Sequence, residues 1–88
     1  MEDVFLKLRI QLELEEWPNV YMFKFIVPNE PELVAQTTAL FTEEAEMSLH
    51  PSSTGKYISV SAKELMMDVD SIIARYVEAS KIKGIISL

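Results

Sequence analysis

The stretch Val20-Tyr21-Met22-Phe23-Lys24-Phe25-Ile26-Val27, followed by Pro28-Asn29-Glu30-Pro31-Glu32, decides the fold class. Aromatic and β-branched side chains with a single charge describe a well-buried, central strand. The next residues change the local chemistry at once. Asn29 is a candidate N-cap, Pro31 sits in a first-turn position where its missing N–H costs little, and Glu32 occupies the capping-box position. A strand must therefore lead directly into a helix. Leu33, Val34, Thr37, Leu40 and Phe41 recur at three- and four-residue intervals, so that helix buries one face.

Downstream, Met47 to His50 suits a short strand and Pro51-Ser52-Ser53-Thr54-Gly55 is the clearest loop. Lys56-Tyr57-Ile58-Ser59-Val60-Ser61-Ala62 then alternates with a period of two, directing Ile58, Val60 and Ala62 to one side and Tyr57, Ser59 and Ser61 to the other. From Asp68 to Ser80, Val69, Ile72, Ile73, Tyr76 and Val77 have helical spacing, with Asp68 and Asp70 near the amino end. Lys83 to Leu88 completes the order as a last strand. Residues 20–88 thus read as a ferredoxin-like βαββαβ core in an α+β sandwich: a four-stranded antiparallel sheet with two covering helices.

The amino-terminal segment is ambiguous. Leu6, Leu8, Ile10, Leu12 and Leu14 alternate as in a strand, whereas Phe5, Leu8 and Leu12 share one side of a helix and the Leu, Lys, Arg, Gln and Glu content favours helix. Glu2 and Asp3 also suit a helix start.

Composition narrows the possible chemistry. The chain has 88 residues, enough for one domain spanning 1–88 that buries about 60% of its unfolded surface. Eight basic against fourteen acidic residues give a net charge of −6, the wrong sign for neutralising nucleic-acid phosphates. The acidity is uneven: residues 1–46 carry ten acidic and three basic groups, residues 47–88 four and five. No cysteine and one histidine leave neither a disulfide frame nor a Cys/His metal cluster. No apolar run suits a membrane span and the acidic start is unlike a signal peptide, so a cytoplasmic location is expected.

Several landmarks occur together in order: Trp17-Pro18, Pro31-Glu32-Leu33-Val34, Pro51-Ser52-Ser53 with Gly55 and Tyr57, and Ser59-Val60-Ser61. On these, Trp17 to Leu88 resembles the DUF493 family, the YbeD-like small bacterial proteins of uncharacterised function. The resemblance implies an ACT-like ferredoxin fold preceded by a short N-terminal helix, here a helical extension over 1–16. It supplies no catalytic residues.

Two regions are candidate sites. His50, Ser52, Ser53, Gly55 and Lys56 combine hydroxyls, an imidazole, an amine and a flexible glycine and could hold a small anion; equally, Pro51 and Gly55 shape the connection while hydroxyls satisfy its backbone. The spacing is not that of a phosphate-binding loop. Tyr21, Phe23, Phe25, Tyr57, Ser59 and Ser61 are candidates for a protein-binding sheet face opposite the helices. The acidic groups Glu43, Glu44 and Glu46 read as solvated surface, and Met66 and Met67 as core or partner contact. With no nucleophile–base set, metal triad or cofactor cradle, the expectation is a non-enzymatic regulatory or adaptor domain without a cofactor. It would associate with itself or another cytosolic protein. The alternatives are an ACT-like small-metabolite sensor and, more remotely, a hydrolase.

Overall fold

The computed structural model describes residues 4–88; Glu2 and Asp3, taken above as a helix start, lie outside them. The elements are α1 (Leu6–Glu13), β1 (Asn19–Pro28), α2 (Pro31–Thr38), β2 (Glu46–Pro51), β3 (Tyr57–Met66), α3 (Val69–Ala79) and β4 (Ile86–Ser87). The four strands form one sheet in the order β2-β3-β1-β4, antiparallel throughout. Three helices accompany it, and the strand order is that of a ferredoxin-like fold.

Antiparallel partners directly opposite one another share a face of the sheet. Phe23 pairs with Ala62 and Phe25 with Val60, so the aromatic side chains of β1 lie with the small apolar residues of β3. Phe23, Phe25, Val27, Val60 and Ala62 are fully buried there with Ile72 of α3, and Leu33, Phe41, Ile73 and Tyr76 close the same core. Ring centroids 5.5 Å apart join Phe23 to both Phe41 and Tyr76.

The helix starts use different chemistry. Asp68 caps α3, its carboxylate accepting from the Ser71 N–H at 2.8 Å. On α2 the cap position belongs to Glu30, without a side-chain bond, and Pro31 opens the helix. Asn29 is therefore not the cap. It is diverted to the β2–β3 turn, its Nδ2 donating to the Gly55 carbonyl and its backbone N–H to the Lys56 carbonyl, both at 2.9 Å.

Two strand ends differ by more than one residue from the reading of the sequence. β3 continues four residues beyond Ala62 to Met66, because Glu64, a charge on the core face, is matched by Arg75 of α3. β4 is limited to Ile86–Ser87 since Gly84, at φ +76°, spends the preceding residues on a turn that Ile85 closes by donating to the Ile82 carbonyl.

The amino-terminal segment is a helix, and a period-two pattern wound at 3.6 residues per turn puts apolar residues on two opposite sides. Leu12 enters the core with half-buried Phe5 and Leu8 against it, while Leu6, Ile10 and Leu14 face outward. Trp17 seals the join between α1 and the sheet: its indole Nε1 donates to the Leu12 carbonyl at 2.8 Å and its ring lies 6.4 Å from that of Tyr21. Arg9 bonds Asp70 at 2.6 Å and ties α1 to α3. Of the adjacent methionines, Met66 is core and Met67 exposed.

Candidate functional site: the open face of the sheet

The face away from the helices is built by alternation. β1 contributes Val20, Met22, Lys24 and Ile26; β3 contributes Tyr57, Ser59, Ser61, Lys63 and Leu65. Glu46, Ser48 and His50 extend it on β2, opposite Lys63, Ser61 and Ser59, and Ile86 joins beside Ile26. Val20 and Leu65, cross-strand partners, are 58% and 59% exposed, and Met22 and Ile86 each 51%. Apolar side chains of this size normally seek cover. Lys24 and Lys63 stand among them, so the centre of this face is apolar and basic although the chain as a whole is acidic.

Half of the expected protein-binding residues belong to this face. Tyr57, Ser59 and Ser61 do; Phe23 and Phe25, each 0% exposed, do not. Tyr21 also turns inward, its hydroxyl 2.8 Å from that of Tyr76 and its ring 4.8 Å from Phe23. The register is the cause: odd positions of β1 share a face with even positions of β3, while Tyr57, Ser59 and Ser61 are odd. A signal for this was present in β1, where Lys24 marks the solvent-facing parity and so assigns Met22 and Ile26 to the open side.

The turn between β2 and β3 consumes its own polar groups. Ser52 donates its backbone N–H to the Tyr57 carbonyl at 2.8 Å, its side-chain oxygen accepts from the Tyr57 N–H at 3.2 Å, and its carbonyl accepts from the Gly55 N–H at 2.9 Å. Gly55, at φ +76°, supplies the left-handed residue this turn needs. Ser53 and Lys56 are exposed. His50 is not gathered with them; it stands across from Ser59 on β2. Among the described residues, no group of three or more His, Cys, Asp or Glu side chains is placed to hold a metal ion.

The sequence reading missed one charged constellation. Arg75 donates to both oxygens of Glu64 at 3.1 and 3.0 Å, and Glu64 also accepts from the Thr42 N–H at 3.2 Å. The guanidinium lies 5.3 Å from the Phe23 ring centroid and 5.4 Å from that of Phe41, a stacked and bidentate geometry that lysine could not reproduce. The bond to Arg75 holds the Glu64 carboxyl below its ordinary range, against the opposing effect of burial. Burial, aided by the bond to Tyr21, pushes the Tyr76 phenol up, so both groups keep one protonation state near neutral pH. Neither is poised for proton transfer there.

These features define an α+β domain of ferredoxin-like topology with one sheet face covered and the other open. The chain belongs to the DUF493 family, described as a protein of unknown function, whose model matches residues 13–87. Most of α1 precedes the matched segment. Comparison with curated proteins and with solved structures gave no match. No helix among the described residues is long and apolar enough to cross a membrane.

Proposed function

We propose that this DUF493 domain is a non-enzymatic regulatory or adaptor module that works by protein association through the open sheet face. The supporting observation is the pair Val20 and Leu65, adjacent across β1 and β3 and both more than half exposed, with Met22 on the same face. Burying such side chains yields about 25 cal/mol per Å² of apolar area. Lys24 and Lys63 define the partner's chemistry: an apolar protein surface flanked by carboxylates.

The test uses the unchanged protein and a Leu65→Lys variant as baits in bacterial cytosol. Leu65 is exposed, so the variant keeps its fold, verified by circular dichroism. One protein retained in stoichiometric amount by the first bait and lost at least tenfold on the second is expected, with calorimetry on the purified pair showing weaker binding at higher salt. Identical captures with both baits would remove the open face from the proposal.

A further inference from the structure

The sheet has two outer edges, β2 and β4. β4 has only two residues, too few to carry a ladder, whereas β2 runs from Glu46 to Pro51 and is exposed along its length. Its backbone polarity follows from the turn. The Ser52 N–H donates to Tyr57 of β3, so by alternation the even positions of β2 direct their backbone groups toward β3 and the odd positions outward. Independently, the Asn29 N–H donates to Lys56, which gives β3 the same parity. The N–H and C=O groups of Met47 and Leu49 are therefore unclaimed by the sheet and point away from it.

We infer that β2 pairs antiparallel with β2 of a second copy of this chain, with Ser48 on the two-fold axis. In that register Met47 lies opposite Leu49 of the other copy, and their outward N–H and C=O groups exchange hydrogen bonds. Both side chains are on the helix side of the sheet, each 41% exposed, and they cover one another across the new ladder. On the open side Glu46 meets His50, whose imidazole donates to the carboxylate in either of its protonation states. Lys63, across from Glu46 on β3, is the other charged group there, and Ser59 stands across from His50. Moving the axis one residue, to Leu49, would face Met47 with Pro51, which has no N–H, and would separate Glu46 from His50. Apolar and polar complementarity thus select the same register.

The pairing is bounded at both ends. Pro51 lacks a donor, and the Ala45 N–H already donates to the Thr42 carbonyl at 3.1 Å. A ladder this short buries less than the roughly 1,200 Å² of a stable complex, so the dimer is weak and forms at high protein concentration. It doubles the four-stranded sheet into a continuous one and sets both open faces on the same side. This inference does not rest on the open-face proposal.

Disulfide trapping reads such contacts, and the chain has no cysteine of its own to interfere. Ser48 would face its symmetry mate in a non-hydrogen-bonded pair, about 4.5 Å between Cα atoms, within disulfide reach. Under mild oxidation Ser48→Cys is expected to give a covalent dimer at least tenfold faster than Glu46→Cys alone, and a mixture of Glu46→Cys with His50→Cys to give the heterodimer. Equal rates for Ser48→Cys and Glu46→Cys, or an unreactive mixture, would overturn the pairing. Neither outcome bears on the Leu65→Lys comparison, which reads the open face only.

Discussion

At the scale of single residues, Gly84 has two reasons to be glycine and Gly55 has one. Both sit at φ +76°, but a Cβ on Gly84 would come within 2.8 Å of Pro28 Cγ, whereas one on Gly55 meets nothing within 4 Å. The left-handed conformation alone costs a side chain about 1 to 2 kcal/mol. Gly55→Ala is therefore expected to lose about 1 kcal/mol in urea denaturation and Gly84→Ala about 2 to 3 kcal/mol, because Pro28 belongs to β1 and cannot retreat without disturbing its pairing. Equal losses would show that Pro28 moves aside freely. Lys24 and Phe23 make a related point. One charge in an apolar strand identifies which parity meets solvent, and that inference was available from the residues of β1 alone.

At the scale of elements, Arg75 and Glu64 fasten α3 to β3 at a place where the aromatic core needs a polar closure. Each answers for the other. Replacing Arg75 by Leu leaves a buried carboxylate bonded only to the Thr42 N–H, and a loss of about 3 to 4 kcal/mol is expected, a large part of the roughly 5 to 10 kcal/mol available to a domain of this size. Arg75→Leu combined with Glu64→Leu is expected to recover more than half of that loss, since no unpaired charge remains. A double variant no more stable than the single one, in the same urea titration, would locate the effect in lost contacts of the arginine with Phe23 and Phe41. The pair was hidden from the sequence because its members are eleven residues apart, on a strand and a helix whose mutual placement the sequence pattern does not give. Read without that partner, Lys63-Glu64 resembles a strand end. α1 shows the opposite case: its alternation was plain but described the wrong element, and Leu6, Ile10 and Leu14 stay exposed as a consequence.

For the whole molecule, the Glu64 pair adds a dependence on pH whose direction is determined by the lowered carboxyl pKa. With an unfolded value near 4.5 and a folded value below it, the unfolded chain binds more protons between the two. The contribution is full above about pH 5 and is lost as pH falls through the folded value. Asp68, lowered by its bonds to Ser71, changes in the same sense. Urea midpoints should thus be level from pH 6 to 8 and fall from pH 5 to 3. The fall should be shallower in the Arg75→Leu/Glu64→Leu double variant; an unchanged slope would show that other carboxylates carry the acid sensitivity.

The sequence by itself determined the order of elements from β1 to β4 and most of the apolar faces of α2 and α3, because helical and strand periodicity are local properties that neighbouring residues carry together; Leu40 and Phe41 lie beyond the end of α2, and Val77 of α3 is exposed. The sequence also indicated the family through landmarks spread over the chain. Only the tertiary structure decided which strand parities share a face, since register joins residues some forty positions apart, and that choice set Tyr57, Ser59 and Ser61 beside Met22 and Ile26 and not beside Phe23 and Phe25. The tertiary structure likewise paired Arg75 with Glu64, withdrew Asn29 from the helix to the turn, and left the backbone groups of Met47 and Leu49 at a free edge. Each of these depends on contacts between elements, and a period read along the chain contains no information about what will lie across from it.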